Sequence, residues 1–224
     1  MKKRLKLNVI DFFSGLEGWS QAWRDRGHNI FRVELNPKWP AEHRDILTLN
    51  PDNLPWKPDV ILASPPCTSF SMMSIGTHWT HDNQPKTPTA EMGIRLVRKT
   101  LELIAKTQPK YYVIENPRAK LRKMAEMNQS GLNRQTVTYC QYGEHRMKPT
   151  DLWGQFPPSL SLKPMCHNGA PCHDAAPRGS RTGTQGMDPA LSAKIPYQLA
   201  EQICIAAEKD IAQGHQTNIW PSIF

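Results

Sequence analysis

Short apolar runs alternate along the chain with polar, turn-forming stretches, and their lengths suit strands. Leu5 to Phe13 and Ile30 to Leu35 are two such runs. Val60-Ile-Leu-Ala63 and Tyr111-Tyr-Val-Ile114 are apolar at every position, as in strands of a parallel sheet covered on both faces. Gln135 to Tyr142 reads as a further strand. Between the strands the period changes. Trp19 to Gly27 reads as a helix stopped by glycine, and a short helical connection leads to Asp45. Thr89 to Thr107 sets Met92, Leu96, Leu103 and Ile104 near helical spacing. Ile195 to Ile211 closes the pattern with Pro196 in its first turn and Leu199, Ile203 and Ala207 on one face. Strands alternating with helices predict an α/β protein with a doubly wound, Rossmann-like sheet.

Two stretches break the pattern. Residues 72–87 are polar, contain Met and His and lack a period, which predicts a functional lid or a disordered segment, and in either case one that moves. From Pro149 to about Pro189, prolines, glycines and polar residues predominate and no strand or helix is expected. The expected organisation is a catalytic domain of residues 1–148 plus 190–213, a small irregular appendage at 149–189 and a tail at 214–224.

Charge narrows the partners. Twenty-eight Lys and Arg stand against 20 Asp and Glu, a net +8, which favours a polyanion and nucleic acid first. No apolar run reaches the ~20 residues of a membrane span, and the basic start leads straight into a strand, so a cytoplasmic monomer without a membrane partner is expected. Five cysteines, an odd number in a chain with no export signal, argue against a disulfide framework. Each thiol is then core, ligand or nucleophile.

Ser64-Pro65-Pro66-Cys67 follows a buried strand, and two prolines continue neither a ladder nor a helix. Cys67 therefore sits on a stiff corner at the carboxyl end of a central strand, where open α/β sheets place their chemistry. Asp11-Phe-Phe-Ser-Gly-Leu-Glu-Gly18 joins a strand to a helix through glycines that let a ligand approach the backbone. Glu34 at the next strand tip suits ribose hydroxyls, and Glu115 at a later tip lies in the layer of Cys67. One crevice would be lined by Phe13 to Gly18, Glu34, Asp45 and Ser64 to Pro66. Arg146 and Lys148, two apart, point to the same side of a strand-like backbone. Arg118, Lys120, Arg122 and Lys123 form either a solvated face or a phosphate-contacting one, and Arg178-Gly-Ser-Arg181 is a basic segment suited to phosphate. Cys166-His167 and Cys172-His173, with Cys140 shortly before, suggest a structural zinc held by Cys166, Cys172, His173 and either Cys140 or His167.

Taken in order, these residues resemble the DNA cytosine-5 methyltransferases. Asp11 to Gly18 resembles their cofactor loop, Glu34 and Asp45 their cofactor carboxylates, and Pro65-Pro66-Cys67 their nucleophile motif. Glu115-Asn116 is similar to their glutamate motif, Gln141 to Lys148 to their basic motif, and Ile195-Pro196 with Leu199-Ala200 to their closing motif. The resemblance implies S-adenosylmethionine as donor. Phe13 would lie beside the adenine, Gly15 and Gly18 would admit the methionine part, Glu34 would hold the ribose and Asp45 the adenine amine. Ser14, Leu35, Ile46 and Pro65 complete the cofactor set. It also implies that the Cys67 thiolate adds to cytosine C6, that Glu115 holds N3 and the exocyclic amine, and that Arg146, with Lys148 second, steadies charge at O2. The base would be flipped out, and Ser71, Arg118, Arg178 and Arg181 would contact nucleic acid.

The departures are Glu17 where the family has glycine, which would narrow the cofactor loop, Thr68 where glutamine is common, and proline after Glu115-Asn116 where valine is usual. Ser192-Ala193 replaces the closing Gly-Asn and is followed by Lys194, whose ammonium raises the alternative of a donor carrying an extra carboxylate. About forty residues stand where the family keeps its recognition domain, so sequence specificity would be weak or short, or supplied partly by the 72–87 loop, which would suit bulk modification of a viral, phage-like or mobile-element genome. The alternatives in other classes are an RNA (tRNA-like) cytosine-5 enzyme and a non-catalytic nucleic-acid binder on the same fold. Amine-directed methyltransferases have an aromatic residue where this chain has Cys67.

Overall fold

The computed structural model describes residues 5–72, 74–128, 132–175 and 188–214. Strands β1 (Asn8–Phe12), β2 (Asn29–Val33), β3 (Val60–Ala63), β4 (Tyr111–Pro117), β5 (Asn133–Thr138) and β6 (Pro149–Gln155) form one sheet in the order β2-β1-β3-β4-β6-β5. The first four are parallel, and β6 runs antiparallel to both its neighbours. The helices are α1 (Ser20–Asp25), α2 (Ile75–His78), α3 (Pro88–Thr107), α4 (Ala125–Asn128), α5 (Pro189–Ala193) and α6 (Tyr197–Ala212). The result is the Rossmann-like α/β architecture expected from the alternation.

Each central strand feeds two cores. Ile61, Ala63, Tyr112 and Ile114 pack on one face with Ala90, Val97, Leu101 and Ile104 of α3. Val60, Leu62, Tyr111 and Val113 pack on the other with Trp23 of α1 and Leu199, Ile203 and Ala207 of α6. Alternate residues must face opposite ways, so a strand buried on both sides has no polar positions. Helix α3 is delimited locally: Thr87 accepts from the Ala90 amide, Pro88 occupies the first turn, and Gln108 turns left-handed at φ 47° to stop it.

Four expectations are overturned. Pro149–Gln155 is a strand inside the sheet, because Leu152 and Trp153 are buried between β4 and β5 although Pro149, Asp151 and Gly154 hide the period. Tyr139–Tyr142 is a turn of 3-10 helix, so the fifth strand ends at Thr138. The chain between β2 and Asp45 is turns, and the only helical turn there starts after Asp45 itself, whose carboxylate accepts from the Leu47 amide. Pro189–Ala193, beyond the expected irregular stretch, forms α5, on which no expectation was set. Within residues 72–87, α2 forms and Trp79 is buried, stacked on Phe70 at 5.5 Å and donating its indole N–H to the Ser69 carbonyl at 2.6 Å. That lid is anchored at its middle. Among the described residues no helix is long and apolar enough to cross a membrane. The basic segment with Arg178 and Arg181 and the tail from 215 lie outside the described residues.

Candidate active site

The strand order reverses between β1 and β3, and the loops leaving their carboxyl ends diverge to leave a crevice. A cavity of about 220 Å³ occupies it, lined among others by Phe13, Gly15, Glu34, Ser64, Pro66 and Lys194. Ser14, Gly18, Trp19, Trp39, Ala193 and Ile195 complete most of its wall. The Glu34 carboxylate is fixed by two backbone donors, Gly15 N at 2.9 Å and Asn36 N at 2.8 Å. Gly18 abuts the closing segment so closely that a Cβ there would stand 2.5 Å from Ile195 N. Ser14 Oγ is buried with no hydrogen-bond partner among the described residues, a spare polar atom on the cavity wall. A glycine-bordered pocket with a fixed carboxylate and an unspent hydroxyl fits a small polar ligand that offers hydrogen-bond donors.

Not every expected cofactor residue reaches this cavity. Phe13, Ser14, Gly15, Gly18 and Glu34 line it, whereas Leu35 is exposed, Ile46 is in the core, Asp45 caps its own helical turn and Pro65 is buried behind Pro66. Glu17 does not narrow the loop. Its backbone is left-handed at φ 57°, which glycine adopts freely and glutamate at a cost of about 1–2 kcal/mol. Its side chain turns away to pair with Arg32 and with Arg24 at 2.6 Å.

Pro66 leads to Cys67, and the corner is held from three sides. Trp19 Nε1 donates to Ser64 Oγ at 3.0 Å, Asn116 Nδ2 donates to the Pro65 carbonyl at 2.8 Å, and the Cys67 carbonyl accepts from Phe70 N and Ser71 N. Gly93 of α3 lets that helix press on the loop, since a Cβ would lie 2.8 Å from Ser69 Oγ. Cys67 itself is half-buried. Burial pushes its thiol pKa up, the nearby Glu115 charge pushes it further, and Lys148 opposes both.

Glu115 is buried at the end of β4 and accepts from the Tyr139 hydroxyl at 2.8 Å. Lys148 Nζ stands 3.9 Å from the same carboxylate oxygen and 4.3 Å from the centre of the Tyr139 ring. Burial lowers the Lys148 pKa, and the Glu115 and Cys67 charges work against that. Burial, then Glu115, raises the Tyr139 pKa well above the phenol range. Arg146 is buried and pairs with Glu144 at 2.9 Å, while its Nη1 has no hydrogen-bond partner among the described residues. Arg146 lies near enough to Lys148 for its charge to lower the Lys148 pKa, but the strand-like backbone expected here is absent: Lys148 is left-handed at φ 28° and no strand covers either residue.

Of the expected nucleic-acid contacts, Ser71 lies in the turn after Cys67, bonded to Ser74 Oγ at 3.0 Å, and Arg118 is exposed just beyond β4. Lys120 and Arg122 are not a solvated face: Lys120 is buried against Trp79 and Arg122 pairs with Asp151. Reading the sequence missed Tyr139, Trp19 and Trp39. Tyr139 was hidden by the strand assignment, and nothing in the local sequence marks Trp39.

Comparison with known proteins agrees with the geometry. A family model described as C-5 cytosine-specific DNA methylase matches residues 7–130, more than half the chain; the match takes in Cys67 and Glu115 and stops before Arg146 and Lys148. A "Probable DNA (cytosine-5)-methyltransferase" of frog virus 3 (isolate Goorha) is 28% identical over 180 residues, 72% of this chain and 78% of that protein. The type II methyltransferase M1.HphI of Haemophilus parahaemolyticus is 32% identical over 130 residues, 50% of this chain and 32% of its own length. The chain thus spans about a third of that bacterial relative. Among solved structures, the Entamoeba histolytica methyltransferase EhMeth superposes with a TM-score of 0.51 at 12% identity, covering 74% of this chain and 58% of that one, a likeness of fold.

Proposed function

The chain belongs to the C-5 cytosine-specific DNA methylase family, and from that premise we propose that it methylates C5 of cytosine in DNA through a covalent Cys67 adduct. The observation that carries this reading is that Cys67, Glu115 and Lys148 lie close enough to act on one another's charge, with Cys67 next in the chain to Pro66, which lines the cavity. S-adenosylmethionine, held by Phe13, Ser14, Gly15, Gly18 and Glu34, would supply an electrophilic methyl group.

Cytosine C5 is a weak nucleophile until a thiolate adds at C6 and turns the ring into an enamine. Cys67 supplies that sulfur from a corner that cannot relax. Burial favours the protonated thiol, the Lys148 ammonium favours the thiolate, and the thiol proton passes to solvent before sulfur adds to C6. Electron density pushed toward N3 and O2 is met by the Glu115 carboxyl at N3 and the 4-amino group, and by the unspent Arg146 Nη1 at O2. Tyr139 keeps the carboxyl aimed. Methyl transfer would release the donor as its thioether, S-adenosylhomocysteine; a water then takes the C5 proton, and the C6–S electron pair returns to sulfur, freeing the Cys67 thiolate. Both ring faces must be free, so the base leaves the stack, at a few kcal/mol. Residues 156–189 offer little room for a sequence reader, which supports short or weak specificity.

Duplex DNA carrying 5-fluorocytosine tests this, because C5 then has no proton to lose. A denaturation-resistant adduct with the wild type and none with Cys67→Ala is expected. An adduct with Cys67→Ala, or one formed only on the matching RNA, overturns the DNA reading.

A second reading of the donor rests on Lys194. Its side chain lines the same cavity, and among the described residues no carboxylate pairs with it. A donor with a carboxylate on the transferred group would find its counterion there. Offering both donors and measuring product nucleosides by mass spectrometry decides: 5-carboxymethylcytosine that disappears in Lys194→Ala supports this reading, and 5-methylcytosine alone ends it.

A further inference from the structure

The sulfurs of Cys140, Cys166 and Cys172 and one ring nitrogen of His173 all lie within 4.8 Å of one another, and we propose that they bind a structural zinc ion. The separations carry the argument. Cys172 Sγ is 3.6 Å from Cys140 Sγ, and His173 Nδ1 is 3.6 Å from both Cys166 Sγ and Cys172 Sγ. Zinc bound tetrahedrally, with sulfur at about 2.3 Å and nitrogen at about 2.0–2.1 Å, places its ligands roughly 3.5–3.8 Å apart. Three edges of the tetrahedron are therefore already at length. The fourth measured edge, Cys140 to Cys166, is 3.1 Å and opens by about half an ångström to admit the ion.

The ligand set is closed, three thiolates and one imidazole, so no position remains for water or substrate and the role is structural. It resolves the choice the sequence left open: Cys140 faces the cluster, while His167 is exposed and turned to the Asn168 carbonyl at 3.1 Å. Outer contacts support the ligands, as they do in metal sites generally. Gln141 Nε2 donates to Cys172 Sγ at 3.3 Å, and Cys166 N donates to Thr138 Oγ1 at 3.0 Å. Without a metal, three thiols and an imidazole converge on one another with few other polar partners.

The ion's place in the fold gives it a purpose. Cys140 follows Tyr139, the residue that holds Glu115, while Cys166, Cys172 and His173 come from a stretch with no helix or strand. Zinc would clamp that stretch to the turn behind the catalytic wall. The proposal stands independently of the methylation reading.

The test uses the full chain purified under reducing conditions without added metal. Elemental analysis should find one zinc per chain, and cobalt exchange should give the visible absorption of a tetrahedral thiolate site. Cys140→Ser and Cys172→Ser should lose the metal, whereas His167→Ala and the inactive Cys67→Ala should keep it. Because the serine variants could fail to fold, alkylation of the wild type is followed in parallel. A chelator should expose Cys140, Cys166 and Cys172 to alkylation and leave Cys67 unchanged. Metal-free protein with no cobalt absorption, or a disulfide between Cys140 and Cys166 in protein so purified, overturns the proposal.

Discussion

The two walls of the active site are built differently. Cys67 and Glu115 stand at the ends of adjacent parallel strands, β3 and β4, paired in register from Val60 with Tyr111 to Ala63 with Ile114. The paired strands deliver them to one layer, and the Asn116 bond to the Pro65 carbonyl ties the corner that carries Cys67 to β4. Tyr139, Arg146 and Lys148 come from irregular chain between β5 and β6, and side-chain contacts hold them: the Tyr139 bond to Glu115, the Lys148 ammonium over the Tyr139 ring, and the Arg146 pair with Glu144. A wall made from strand ends tolerates change around it. A wall made from side-chain contacts transmits it.

The largest effect should come from breaking the first wall. Glu115→Gln is expected to lower kcat by about 10²–10⁴-fold, the range for a positioned acid–base group. It also removes a negative charge that raises the Cys67 pKa, so the pH midpoint of iodoacetamide labelling should move down. Lys148→Met removes the opposing cation and should move it up. Equal midpoints in both variants would mean that the walls do not communicate.

Next comes the joint between them. Tyr139→Phe leaves a buried carboxylate oxygen short of a donor, worth about 1–3 kcal/mol, and should cost roughly tenfold in kcat with donor affinity unchanged. A loss confined to KM would place Tyr139 outside the chemistry. On the cofactor side, Gly18→Ala forces a methyl against Ile195 N. Displacing the closing segment by overpacking costs about 1–3 kcal/mol, and S-adenosylmethionine should bind roughly tenfold more weakly by calorimetry. Unchanged affinity would show that the α5–α6 segment yields freely.

The smallest effect on rate is expected at Asp11, beneath the cofactor loop. Burial outweighs the hydrogen bonds from Ser20 and lifts its pKa from 3.8 to about 7. Between those values the folded chain holds a proton that the unfolded chain has released. Its contribution to stability is therefore present below about pH 4 and lost as pH rises through 7. Urea midpoints of Asp11→Asn should decline less from pH 4 to 7 than those of the wild type; parallel declines would remove Asp11 as the cause.

How much of this was legible follows from the same contrast. The strands VILA and YYVI, the Pro-Pro-Cys corner, Glu34 and Glu115 could all be read because strand period and proline chemistry act over a few residues. The antiparallel strand β6 could not. Leu152 and Trp153 are its only large apolar residues, and what makes it a strand is burial between β4 and β5, whose paired residues lie roughly ten to forty positions away. Trp79 illustrates the same limit, since its polar neighbours suggested a loose lid and only its stacking on Phe70 pins it.

By itself, then, the sequence determined the α/β class, the nucleophile's corner and the carboxylates at the strand tips, because local backbone preferences set which end of a strand a residue occupies. Tertiary structure decided that Tyr139 orients Glu115, that Glu17 turns away from the cofactor loop, that Lys194 lines the cavity and that Cys140 rather than His167 joins the cysteine cluster. Those are contacts between segments far apart in the chain, and only the packing of the sheet and its helices fixes the distances between them.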